Sequence, residues 1–179
     1  MDSPWLLLIY TVPSDPSRKR AYIWREVKKA GAAYLRDGVC ILPERPETLA
    51  MTRTIGSKVE EFGGSVTVVR SALLEPARAE AVVAEFRAAR ADEYAEIARE
   101  AERLLEHVAR ETEHREFTYA ELEELEADLS KLKRWCNQIR TRDYFPDGSE
   151  SRARQLLRQC DRALATFLEQ AADREVPTP

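Results

Sequence analysis

The sequence predicts an α+β protein: a β-α-β-β-α-β unit followed by a three-helix antiparallel bundle. Three observations lead there. The runs "WLLLIYTV" (Trp5–Val12) and "VCIL" (Val39–Leu42) are apolar on both faces, as strands in the middle of a sheet are. Stretches with apolar residues at helical spacing alternate with strand-like runs up to Leu74. After Pro76 the chain is rich in Ala, Glu, Leu and Arg at helical spacing, with no further strand pattern.

The elements follow in order. Pro13 ends the first strand. Ser14 or Asp15 can cap the next helix, with Pro16 near its first turn. That helix is expected to bury Ile23, Trp24, Val27 and Ala30, and Gly31 to end it. "AAYLRDGVCILP" (Ala32–Pro43) then supplies two short strands around Asp37-Gly38, a pair that tolerates the positive φ of a hairpin turn. A second helix follows Pro46, with Leu49, Thr52, Ile55, Val59 and Phe62 inward, and Gly63-Gly64 break it. "SVTVVRSAL" (Ser65–Leu73) is the last strand.

This order is that of the ferredoxin-like split βαβ, with the first and third strands central and the second and fourth at the edges. The polarity agrees, because "AAYLRD" and "TVVRSA" are mixed where the central runs are apolar. Two helices cover one face of such a sheet. The other face needs either the second unit or a second copy of the chain, and a homodimer is the expectation.

In the second unit the first helix runs from Pro76 to about Glu116. Phe86, Tyr94, Ile97, Ala101, Leu104 and Val108 follow a heptad-like spacing that Arg90 interrupts. Thr118 and Glu121 read as a capping box. The second helix carries Leu122, Leu125, Leu129, Leu132, Cys136 and Ile139. After a turn at "YFPDGS" (Tyr144–Ser149), the third carries Leu156, Leu157, Cys160, Leu164, Phe167 and Leu168. An antiparallel bundle is the simplest packing of these three helices. The expected division is a ferredoxin-like unit over 1–75, a helical bundle over 76–172 and a frayed tail over 173–179. Charge changes at the same joint: residues 1–75 hold 11 Lys and Arg against 9 Asp and Glu, and residues 76–179 hold 17 against 23.

Composition excludes several classes. A net charge of −4 over 179 residues opposes a generally basic nucleic-acid binder. The longest uncharged apolar run, Trp5–Val12, is too short to span a bilayer. No basic segment or small-residue cleavage site accompanies it, so no secretory signal is expected. Cys40, Cys136 and Cys160 are odd in number and far apart, which suits reduced thiols in the cytoplasm. They fall on apolar patterns and read as small core residues.

The first helix carries the main candidate site. Arg18, Lys19 and Arg20 crowd its first turn, where the helix dipole already supplies partial positive charge. Arg18, Tyr22, Arg25 and Lys29 form a stripe opposite Val27. An anion at this end would make the cations favourable, acting with the free backbone N–H groups. Arg18, Lys19, Arg20 and Arg25 are therefore the candidate anion- or phosphate-binding residues; the competing reading is a solvated basic face. Arg134, Arg140 and Arg142 form a secondary basic group, largely explained by the preference of cations for a helix C-terminus.

No phosphate-loop, dinucleotide-binding or nucleophile-elbow motif occurs, and no nucleophile–base pair stands out. No catalytic residue and no enzyme activity is expected. Glu111-Thr112-Glu113-His114 holds one E-x-x-H unit, whereas a di-iron bundle takes two plus further carboxylates. No metal site or cofactor is expected, and His107 is placed on the bundle surface.

"WLLLIYTVPSDPSRKRAYIWREVKKAGAAYLRDGVCILP" resembles the start of ChrB-type chromate resistance proteins. "FTYAELEELEADLSKLKRWCNQIRTRDYF" resembles the helical segment that follows in them, and the likeness extends over about residues 5–170. More distantly, the β-α-β-β-α-β unit resembles the core of PaaX-type repressors and of Cas2 nucleases. The nucleases place an acidic residue at the end of the first strand, where this chain has Tyr10-Thr11-Val12, so nuclease chemistry is not implied.

The ChrB resemblance implies a chromate-responsive regulatory or sensing protein, whose full-length relatives carry a second domain. It implies a separate ChrB C-terminal-type protein as partner, and chromate or another oxyanion as ligand. Chromate is a tetrahedral dianion, which arginines and helix N-termini suit. The same stripe suits DNA phosphates, a contact that positions without reading bases. The alternative is a dimerisation or partner-docking module without its own ligand. Reduction of chromate by Cys40 would need an exposed, low-pKa thiol, which its apolar context opposes.

Overall fold

The computed structural model describes residues 4–114 and 118–175. Its elements are β1 (Trp5–Thr11), α1 (Ser17–Lys29), β2 (Ala33–Arg36), β3 (Val39–Pro43), α2 (Pro46–Glu61), β4 (Ser65–Ser71), α3 (Pro76–His114), α4 (Tyr119–Arg140) and α5 (Glu150–Glu175). The helix end expected at Glu116 and residues 176–179 of the expected frayed tail lie outside the described residues.

The four strands form one antiparallel sheet in the order β2-β3-β1-β4, the ferredoxin-like arrangement. The two strands that read as apolar on both faces are the central ones. Leu7 of β1 lies opposite Ile41 and Val69, and Leu8 opposite Cys40 and Val68. Gly38 closes the β2–β3 hairpin at φ +70°, and its carbonyl accepts the Tyr10 amide at 2.7 Å. A side chain there would meet both the left-handed backbone and the Tyr10 carbonyl.

The chain forms two compact units: Met1–Arg87 with Arg142–Phe145, and Ala88–Thr141 with Pro146–Pro179. In the first, α1 and α2 cover one sheet face over a core of Leu8, Ile23, Val27, Cys40, Ile55 and Val59. On the other face, Trp5 and Ile41 pack with Val82 and Phe86 from the first turns of α3, and with Tyr144. The Trp5 and Phe145 rings lie 5.8 Å apart, and those of Phe86 and Phe145 5.4 Å. Tyr144 fixes this cover. Its hydroxyl donates to the Ala30 carbonyl at the end of α1 (2.7 Å), and its own carbonyl accepts from Arg45 Nη2 (2.8 Å). The cover is partial, for Ile9 and Val69 are 40% and 37% exposed at the other end of the face.

Two local expectations about α1 need correction. Pro16 holds the N-cap position and no side chain caps the helix, so neither Ser14 nor Asp15 does. The first helical bond runs from the Lys19 amide to the Pro16 carbonyl (3.0 Å), which leaves both residues upstream of the cap. Trp24 is 53% exposed rather than buried. Ile23, Val27 and Ala30 define the inner line at i, i+4 and i+7, and Trp24 lies about 100° round the helix from Ile23.

The second unit packs the rest of α3 with α4 and α5. Tyr94, Ile97, Ala101, Leu104 and Val108 meet Leu125, Leu129, Leu132 and Ile139, together with Leu157, Cys160, Leu164 and Phe167. The Cys160 thiol donates to the Ala101 carbonyl at 3.3 Å. Arg90, which breaks the heptad pattern, is buried with its Nε 2.9 Å from the Glu93 carboxylate. Only half of the expected capping box forms. The Thr118 hydroxyl accepts from the Glu121 amide (3.2 Å), while the Glu121 carboxylate lies 2.8 Å from His107 Nε2.

Replacing Tyr144 by Phe keeps the ring and orphans the Ala30 carbonyl, so it is expected to cost about 1–3 kcal/mol. Urea unfolding measures this, and an unchanged midpoint would contradict the role given to Tyr144. Gly64→Ala is expected to destabilise more, because its Cβ would collide with the Thr11 carbonyl across the β1–β4 pair.

Candidate anion-binding face

Helix α1 carries Arg18, Lys19, Arg20, Arg25, Lys28 and Lys29 against one acid, Glu26, and its first turn holds no acidic residue. Lys29 Nζ takes that acid at 2.7 Å. Lys19 turns towards α2. Its ammonium donates to the Phe62 carbonyl (3.2 Å) and lies 5.6 Å from the Phe62 ring centroid. Phe62 is the C-cap of α2, so this cation sits where a helix dipole favours it. Tyr22 also packs towards α2, edge-on to Phe62 at 5.6 Å, with Lys58 Nζ near both rings.

Of the four candidate residues, Lys19 thus has a structural partner. Arg18, Arg20 and Arg25 are exposed, and their side chains make no ion pair or hydrogen bond among the described residues. Arg18 and Arg25, seven residues apart, share one side of the helix. Arg20, Trp24 and Lys28 follow at i, i+4 and i+8, with Lys28 Nζ 5.7 Å from the Trp24 ring centroid. An exposed indole flanked by cations was not anticipated; the inward assignment of Trp24 hid it. No side chain caps the amides of this turn. The face therefore offers exposed guanidinium donors, helix-end N–H groups and an aromatic surface.

The secondary basic group divides differently. Arg134 and Arg140 are exposed on α4 in the second unit, whereas Arg142 belongs to the segment of the first.

The cysteines are all free and buried. Burial pushes the Cys40 thiol up to about 12, with hydrogen bonds to Tyr34 and Tyr10 pulling the other way. Burial likewise raises Cys160 to about 11, and raises Cys136. Tyr10 and Tyr34 share a hydroxyl–hydroxyl bond of 2.9 Å.

A third cluster escaped sequence reasoning. His107 and Glu111 of α3 lie beside Glu121 of α4, with His107 Nε2 3.5 Å from Glu111 Oε1 and 2.8 Å from Glu121 Oε1. The signal legible in the sequence is the i, i+4 spacing of His107 and Glu111; the third residue, Glu121, lies on another helix. Among the described residues, no helix is long and apolar enough to cross a membrane.

The family model described as "Protein ChrB, N-terminal" matches residues 20–176. Protein ChrB of Cupriavidus metallidurans is 30% identical over 169 residues, which is 93% of this chain and 48% of that protein. The chain therefore spans about half the length of that relative. No solved structure matches it.

The buried thiols give a pH prediction. Above about pH 8.5, the ordinary thiol pKa, unfolded cysteines lose protons that the folded ones keep. The folded state then binds more protons than the unfolded one, so stability should fall as pH rises from there towards 11. Urea midpoints measured from pH 7 to 10 check the slope. In the same range the thiols of the folded chain should resist a disulfide reagent that labels the unfolded chain at once.

Proposed function

The chain belongs to the ChrB N-terminal family, and on that premise we propose that it is a regulatory or sensing protein of chromate resistance whose helix α1 receives an anion. The anion is chromate, a related oxyanion or a nucleic-acid phosphate. The observation that carries this reading is the set of exposed arginines without counter-charge, Arg18 and Arg20 at a helix start that no side chain caps and Arg25 about two turns further along the same helix. Such an arrangement is unfavourable by a few tenths to about 1 kcal/mol per cation near the first turn. A bound anion reverses that sign and adds charge-assisted hydrogen bonds.

The chain acts in this reading by binding rather than catalysis, in the cytoplasm. Its buried thiols are unsuited to reducing chromate, because the reactive species is the thiolate. The portion of ChrB beyond this region, fused or separate, is the proposed protein partner. A second reading, dimerisation or docking without a ligand, is favoured by the exposed Ile9 and Val69 on the sheet. Sedimentation over micromolar concentrations separates the two: a dimer lost on Ile9→Lys supports the second, and a monomer that binds anions supports the first alone.

The direct test replaces Arg18 and Arg20 by Gln and follows chromate, sulfate and duplex DNA binding by calorimetry at two salt concentrations. Loss of one charged hydrogen bond is expected to weaken binding about tenfold or more. A steep decline of DNA binding with salt would identify phosphate contacts. If the native chain binds none of the three, or the double variant binds equally well, α1 is a solvated face.

A further inference from the structure

We infer that His107 and Glu111 of α3, with Glu121 of α4, form a site for one divalent transition-metal ion of the Zn2+ class. The site lies in the second compact unit and is independent of the anion-binding reading of α1.

Geometry comes first. His107 and Glu111 stand at i, i+4, which puts both on one face of α3. Glu121 arrives in the first turn of α4, held there by its backbone bond to Thr118. One donor atom from each residue lies within 4.8 Å of the other two. A metal with ligands at about 2.0–2.2 Å in tetrahedral geometry needs its donors roughly 3.3–3.5 Å apart. The His107–Glu111 separation of 3.5 Å already fits, and the 2.8 Å His107–Glu121 contact opens slightly to admit the ion.

Electrostatics points the same way. Glu111 and Arg90 are the buried charged residues among those described. Arg90 has the Glu93 carboxylate beside it, whereas Glu111 faces an imidazole and, at 3.3 Å, the largely exposed guanidinium of its sequence neighbour Arg110. Two carboxylates gathered around one imidazole present three donors to a dication, with Arg110 offsetting part of their negative charge. The donor set selects the class of ion. An imidazole nitrogen favours zinc, nickel, iron or copper over magnesium or calcium, while two carboxylate oxygens and no thiolate argue against a soft, all-sulfur site. Three protein donors leave at least one position for water or an anion. His107 also lines a groove of about 330 Å³ together with Glu96, Glu100, Arg103, Asp128 and Lys131, so the imidazole is open to solvent on that side.

Histidine identity makes the test sharp, because the chain has two histidines, His107 and His114, on the same helix. Zn2+ is titrated into the full chain by calorimetry, and Co2+ by visible absorption, which reports coordination number. The expected result is one ion per chain with micromolar or tighter affinity and a Co2+ spectrum of low coordination number. His107→Ala and Glu121→Gln should each weaken binding by more than the roughly tenfold caused by losing an outer-shell partner. His114→Ala should leave it unchanged. Circular dichroism of the metal-free variants guards against misfolding, and Glu121→Gln, at a partly exposed position that keeps the backbone cap, remains informative if His107→Ala fails to fold. Absence of saturable uptake by the native chain, uptake unaffected by Glu121→Gln, or uptake abolished by His114→Ala would overturn the assignment.

Discussion

A sheet whose central strands are apolar on both faces cannot be stable with helices on one face alone. That constraint organises the first compact unit. α1 and α2 bury Leu8 and Cys40 from one side, and the chain then has to return to the other. It does so with two sequence-distant pieces: the first turns of α3, which bring Val82 and Phe86, and the four residues Arg142–Phe145. Tyr144 ties these pieces to the helical layer, because its hydroxyl satisfies the C-cap carbonyl of α1 while its ring meets Phe86. One tyrosine thus links a helix end, both layers and the return of the chain. The aromatic group of Trp5, Phe86, Tyr144 and Phe145 supplies the apolar area that makes the return favourable.

The same constraint explains the character of α1. Its inner line is fixed by Ile23, Val27 and Ala30, and one neighbouring position, Lys19, is spent on the α2 C-terminus. Tyr22 packs against Phe62 as well, and Arg18, Arg20, Trp24, Arg25, Lys28 and Lys29 face outward. Packing would accept almost any polar residue there, and mixed charge would be the easier choice. A run of cations with one acid is not required by the fold, and this separates the composition of α1 from its structural role. The proposed anion accounts for the residue types that packing leaves unexplained.

The sequence resolved what depends on periodicity. Strand order followed from which runs were apolar on both faces, the hairpin from Asp37-Gly38, and the bundle core from the heptad-like line Tyr94–Val108. It failed where one residue of phase or a distant partner decides the outcome. Trp24 sits one position from the buried line, close enough in a helical projection to be drawn inward. Tyr144 and Phe145 begin a segment rich in turn residues, and nothing local shows that their rings close a sheet formed a hundred residues earlier. His107, Glu111 and Glu121 belong to two helices, so their meeting depends on the register between those helices. The four candidate cations of α1 were legible as a group, but the assignment of Lys19 to a helix C-terminus required the fold.

The proposed role of α1 is that of a binding surface, and backbone amide chemical shifts test this residue by residue. On titration with chromate, and separately with a short DNA duplex, saturable shifts are expected for the amides of Ser17–Arg20 and for the side-chain Nε–H groups of Arg18, Arg20 and Arg25. Shifts that leave these groups in place while moving others, or no saturable shifts with either ligand, would contradict it.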